Sequence, residues 1–229
     1  MNTTNLKRVF VNFASQLQNR DTNLEITEDT VRMYLYKCML DEDNDLNHYI
    51  LELPYESKRT SLGIKKNLLK KASNNGSHQE LDLFYNDEKN KFAFEIKFHR
   101  KGTSSSNKTE KAGAIFNDLN RLNIINGKGI EKYFVYVTDD EMMNYFLHNK
   151  NNKGPRCAKL NKAAKDIFDE CKTESYKIPY DNQYKRFFSK AWESFNQNSA
   201  DIKLELTLTL SSQKDDQKDN YCIKIYKVI

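Results

Sequence analysis

The stretch ELDLFYNDEKNKFAFEIKF, residues 80–98, decides how the chain folds, and the flanking elements take their places around it. ELDLFY and KFAFEIKF each alternate with a period of two, the repeat of a strand whose side chains point to opposite faces. NDEKN between them is rich in turn-forming residues, so the two runs read as an antiparallel hairpin. Symmetric pairing about the turn sets Tyr85 opposite Phe92, and therefore Asp82 opposite Glu95. Opposed residues share a face with their Cβ atoms ~5 Å apart. Lys97, two residues beyond Glu95, falls on that face as well, whereas Leu81, Leu83, Phe94, Ile96 and Phe98 take the other.

Two carboxylates held opposite each other are destabilising unless something compensates the charge. A hard divalent cation does so, and Mg²⁺ takes carboxylate oxygens in this way. Carboxylates holding Mg²⁺ beside an ammonium group form a constellation suited to phosphodiester hydrolysis, because both positive centres can stabilise charge on the phosphate. The alternative is a solvated charged face on which Lys97 merely pairs with Glu95. Phe84 and Ala93 share the charged face, and helix-rich segments flank the hairpin, which argues for a covered site.

Working outward, Leu6, Val9, Phe10, Phe13 and Leu17 mark one face of a helix over 4–18. A second helix starts near Thr27 and runs to Leu40, with Val31, Tyr34, Leu35, Cys38 and Met39 as its apolar stripe. HYILELPY is a strand closed by Pro54. Residues 56–78 carry Lys58, Arg59, Lys65, Lys66, Lys70 and Lys71 around Leu62, Ile64, Leu68 and Leu69, and read as a basic amphipathic helix and loop inserted between strands. A helix follows over about 109–122, then the turn NGKG and a buried strand, IEKYFVYVT. DDEMMNYFL begins another helix, 158–171 and 181–196 have helical character, and DIKLELTLTL with NYCIKIYKVI forms a C-terminal strand pair. Trp192 reads as core. The whole is one α/β domain over 1–229, with its core at about 25–140, the basic insertion at 56–78 and helical and β additions over 141–229.

Composition bounds the function classes. The chain has 229 residues, 38% hydrophobic and 30% charged, with a formal net charge of +5 that permits nucleic-acid binding without requiring it. No apolar run approaches the roughly 20 residues that cross a bilayer, and the N-terminus lacks a secretion signal, so a cytoplasmic protein is expected. Cysteines 38, 157, 171 and 222 lack zinc-binding or disulfide spacing and read as reduced thiols.

Asp82 followed by Glu95-Ile96-Lys97 resembles the motif of the PD-(D/E)xK nuclease superfamily, to which restriction endonucleases and Holliday-junction resolvases belong. Leu81 stands where the motif's proline would be. The element order over about 25–140 is similar to that family's core of helix, three antiparallel strands, helix and strand. The resemblance implies a restriction-endonuclease-like fold and a DNA-cleaving enzyme using Mg²⁺, or Mn²⁺ in its place, in a restriction or defence setting, and it admits a homodimer. It makes Asp82, Glu95 and Lys97 catalytic. Glu28 in the first helix, or Glu52 in YILELPY, would join Asp82 and Glu95 on the metal. It further implies that Asp118 and Arg121, in IFNDLNRL, face or brace the site. DNA phosphates would meet Lys58, Arg59, Lys65, Lys66, Lys70 and Lys71, with His99 and Arg100 after the catalytic strand. Two alternatives stay open: a non-catalytic DNA-binding module on the same fold, and a structure-specific or RNA nuclease.

Overall fold

A computed structural model describes residues 1–19, 26–65, 68–69, 79–100, 108–139, 142–143, 174–177, 189–195, 201–211 and 221–229. Helix α1 (Thr3–Gln18) starts on Asn2, whose side chain accepts the Asn5 amide, and buries the predicted face of Leu6, Val9, Phe10, Phe13 and Leu17. Helix α2 (Glu28–Leu40) starts on Thr27, which exchanges side-chain and backbone hydrogen bonds with Thr30. A capping exchange of this kind satisfies amides that the first helical turn leaves free. After a 3-10 turn come β1 (Tyr49–Pro54), β2 (Glu80–Asn86), β3 (Lys91–His99), α3 (Lys108–Asn123) and β4 (Ile130–Asp139). The described residues end with β5 (Glu174–Lys177), β6 (Asp201–Ser211) and β7 (Tyr221–Val228).

The seven described strands form one sheet in the order β1-β2-β3-β4-β7-β6-β5. Every neighbouring pair is antiparallel except β3 and β4, which run parallel. A parallel pair needs a long crossover, and α3 supplies it. The fold is therefore a mixed α/β sheet, mostly antiparallel, with helices on both faces. Leu83, Tyr85, Phe92, Phe94 and Ile96 pack with α1 and α2 on one face. On the other, Phe84, Ala93, Phe134 and Tyr136 pack with Ile115, Phe116 and Leu119 of α3. Covering both faces of β3 and β4 explains their nearly unbroken apolar character.

The hairpin register is the predicted one as far as Tyr85 opposite Phe92 and Leu83 opposite Phe94, but the pairing ends there, so the expected Asp82–Glu95 pair is not formed. Leu81 departs from the prediction: it joins Leu53 and Tyr55 in the cluster on the α3 side, where β2 pairs with β1 but not with β3. The predicted basic helix also fails where it is described. Residues 55–63 form a succession of turns that buries Leu62 and Ile64. Gly63 sits at φ 67°, a conformation that stops a helix. Residues 66–67 and 70–78 lie outside the described residues, as do most of the predicted helices after Asp139. Trp192 is buried, and Cys38 and Cys222 are buried free thiols, whereas Cys157 and Cys171 fall outside the description. The C-terminal strand pair is present as β6 and β7, with β5 added at the sheet edge. Among the described residues no helix is long and apolar enough to cross a membrane.

The turn segment is anchored at Leu62, whose carbonyl accepts the amides of Asn126 and Gly127. A Cβ at Gly63 would stand 2.5 Å from the Gly127 nitrogen and 2.6 Å from the Asn126 carbonyl carbon, both main-chain atoms. Gly63→Ala is therefore expected to cost about 1–3 kcal/mol, enough to lower the melting temperature by several degrees. An unchanged thermal melt would show that the two loops do not meet in this way.

Candidate active site

The site begins where β2 parts from β3. Their pairing ends at Leu83 and Phe94, so the amides of Ile96 and Phe98 lie beyond the last paired residue. A buried amide without a partner is costly, and side-chain carboxylates take both. Asp82 Oδ2 accepts from Ile96 N at 2.6 Å, and Glu28 Oε2, from the first turn of α2, accepts from Phe98 N at 3.3 Å. The gap between the strands thus admits one acid from β2 and one from α2.

Glu95 is fully buried on the α3 side. Tyr55 donates its hydroxyl to Oε1 at 2.7 Å, and Arg121 Nη2 donates to Oε2 at 2.8 Å. The same Arg121 nitrogen reaches Asp118 Oδ1 at 2.6 Å, and its guanidinium lies 5.9 Å from the centre of the Tyr55 ring. Lys97 Nζ bonds both Glu28 oxygens at 3.1 Å and stands 3.4 Å from Asp118 Oδ2. Arg32 of α2 donates from Nη2 to Asp82 Oδ1 at 2.9 Å and from Nη1 to Glu52 Oε1 at 3.1 Å.

Burial lifts the Glu95 carboxyl well above the usual carboxylate range, although Arg121 opposes the shift. Asp82 is also raised by burial, against the pull of the Ile96 amide and Arg32. Glu28 follows, raised by burial against the pull of Lys97. In all three, burial outweighs the positive charge and hydrogen bonds that favour the ionised form. Lys97 shows the converse. Burial disfavours its charge, but Asp118 and Glu28 overcome that cost and hold it above the ordinary lysine value. It stays an ammonium, suited to stabilising charge rather than to taking a proton.

Sequence position therefore brought Asp82, Glu95 and Lys97 together with Glu28, Asp118 and Arg121. Glu52 points outward, 61% exposed, and meets Arg32. His99 is buried against Tyr136, and burial together with Lys97 lowers its pKa to about 3. It is uncharged and inside, so the prediction that it contacts a DNA phosphate is corrected for this residue. Lys58, Lys65 and Arg100 are exposed and Arg59 is half-buried; Lys66, Lys70 and Lys71 lie outside the described residues. Tyr55 and Arg32 were not foreseen. Arg32 had a signal, since Glu28 and Asp29 precede it by four and three residues on the same helix.

Among the described residues no three His, Cys, Asp or Glu groups are already gathered to hold a metal. The donors that are present suit a hard cation: they are carboxylate oxygens only, and each oxygen of Asp82 and Glu95 accepts one hydrogen bond and keeps a further lone pair. Asp118 Oδ2 is buried and accepts no hydrogen bond. Comparison of the chain with protein-family models, with curated proteins and with solved structures finds no match.

A carboxyl raised above its unfolded pKa lowers stability when ionised, and that cost disappears as pH falls through the folded value. Asp82→Asn keeps an acceptor for Ile96 and removes the charge. At pH 8 without metal the variant is expected to melt no lower than the parent, and to gain less stability on acidification toward pH 4. A marked drop in melting temperature at pH 8 would show instead that the Arg32–Asp82 pair is a net stabiliser.

Proposed function

We propose that the chain is a Mg²⁺-dependent nuclease hydrolysing DNA phosphodiester bonds, built on a restriction-endonuclease-like core formed by α2, β1, β2, β3, α3 and β4. The observation that carries this reading is the convergence of Asp82, Glu95 and Lys97 at the point where β2 leaves β3. Asp82 and Glu95 would hold the cation, which supplies Lewis acidity and positive charge against the phosphate. Lys97, kept protonated by Glu28 and Asp118, offers an ammonium to the phosphate oxygens or to the attacking water as negative charge develops. Glu28 holds that ammonium in place while its other bond caps the Phe98 amide. Tyr55 and Arg121 fix the Glu95 carboxylate in one rotamer. Exposed Lys58, Lys65 and Arg100 supply charge for the DNA backbone. Cleavage of both strands would engage two copies.

One observation favours a second reading. Arg32 and Arg121 already pair with the two carboxylates, as they would in a DNA-binding module whose site is purely structural.

Supercoiled plasmid incubated with the purified protein separates the two. Nicked and linear products are expected with Mg²⁺ or Mn²⁺ and none with a chelator. Lys97→Ala is expected to slow cleavage by roughly 10²-fold or more while retaining DNA binding and folding. DNA binding without any metal-dependent cleavage would support the non-catalytic module, and cleavage confined to RNA would move the substrate class. Undiminished turnover in Lys97→Ala would remove that residue from the mechanism.

A further inference from the structure

We infer that Arg32 is a positioning residue: it holds Asp82 while no cation is present and releases it by falling back on Glu52 and Asp29. The inference rests on the proposed metal site and adds how that site is kept before the metal arrives. The two terminal nitrogens of Arg32 have divided tasks. Nη2 faces inward to Asp82 at 2.9 Å, whereas Nη1 faces outward to Glu52 at 3.1 Å and Asp29 at 3.5 Å. Asp82 is 14% exposed, but Glu52 and Asp29 are 61% and 83% exposed. If Asp82 turns its Oδ1 to a cation, the guanidinium keeps two acidic neighbours and is never left as an unpaired charge, the outcome that makes broken buried pairs so costly.

Arg121 has no such retreat. Its acidic partners, Glu95 and Asp118, are 0% and 4% exposed, so it is bound to the interior on both sides. Of the two arginines on the site, only Arg32 is built to change partners. The backbone at Glu52 points the same way. Its neighbours Leu51 and Leu53 pair with Leu83 and Leu81, yet Glu52 itself sits at φ 52°, a strained conformation for a residue with a side chain. Strain of this sort persists where surrounding contacts impose it. Here it accompanies the outward bond to Arg32.

Competition between a guanidinium and a divalent cation for one carboxylate gives opposite signs for two sets of variants. Calorimetric titration of the full chain with Mn²⁺, without DNA, is the test, with the Mn²⁺-dependent rise in melting temperature as a second readout. Arg32→Gln removes the competitor and is expected to tighten Mn²⁺ binding by about tenfold, the scale of one charge-assisted hydrogen bond. Arg32→Lys keeps a competing charge and should stay near the parent. The double variant D29N/E52Q removes the retreat and should weaken binding. If the parent binds Mn²⁺ and Arg32→Gln binds equally or more weakly, the exchange is overturned while the metal site stands. If neither binds, and Asp82→Asn is likewise indifferent to Mn²⁺, the metal site and the exchange both fall. A circular-dichroism melt without metal checks that each variant is folded, and Arg32→Lys against D29N/E52Q gives the same contrast should Arg32→Gln not fold.

Discussion

Glu95 is a carboxylate without solvent exposure in a central strand, and the arrangement of the site depends on how that charge is compensated. Taking an ion out of water costs several kcal/mol even after relaxation, so it must find donors of fixed geometry. Arg121 and Tyr55 are those donors, and each enlists another part of the fold. Arg121 requires α3 to lie across β3 with Asp118 and Arg121 on the turns facing the sheet. Tyr55 requires the chain to turn directly after Pro54, so the segment ending at Gly63 packs against the loop before β4. One buried charge thus links the placement of a helix, a turn segment and a strand end.

A second constraint is the parting of β2 from β3. Antiparallel strands that stay paired leave no space between them, and residues on their shared face see only the layer above. Beyond Leu83 and Phe94 the amides of β3 are released, and carboxylates from β2 and α2 take them. Asp82 and Glu28 are therefore backbone caps as well as candidate chemical groups. This double use fixes their oxygens to within a hydrogen bond, which a ligand site needs and which surface acids do not have.

Much of this could be read from the sequence because it follows from period and symmetry. The turn centred on NDEKN fixes the register, and the register with the two-residue repeat brings Asp82, Glu95 and Lys97 to the same end of the hairpin. The pairing itself stops at Leu83 and Phe94, one step short of opposing Asp82 to Glu95. The capped start of α2 at Thr27 puts Glu28 in the first turn, but its place at the site, like that of Asp118 and Arg121, is implied by the family resemblance and not by period or symmetry. Other features arise from contacts between distant segments and leave no local pattern. Tyr55 follows a proline in a polar stretch, and nothing near it announces a hydroxyl aimed at a residue forty positions on. His99 sits at a strand end, where exposure is the ordinary outcome, but the parallel neighbour brings Tyr136 against its ring and Thr138 to its carbonyl. Leu81 lies beyond the last β2–β3 pair, opposite Leu53 of β1, and alternation alone does not signal its change of face. The basic stretch was misread as a helix since its charge and leucine spacing masked the break at Gly63.

The composition of the cluster bears on what it is for. Glu28, Asp82, Glu95 and Asp118 face Arg32, Lys97 and Arg121, an inner set with one more acid than base. If these groups served only stability, apolar side chains of similar volume would do as well or better, because buried ion pairs seldom repay their desolvation. A network serving only as a brace would also be expected to balance its charges, yet here acids outnumber bases and burial raises the carboxyl pKa values in spite of Arg121, Arg32 and Lys97. Perturbed acids gathered at one point are more common at functional sites than elsewhere. The deficit is of the sign that a divalent cation would meet, and the lysine beside it is protonated, as a phosphate ligand would require. The cluster is thus better matched to binding something positive and something negative together than to holding the sheet closed.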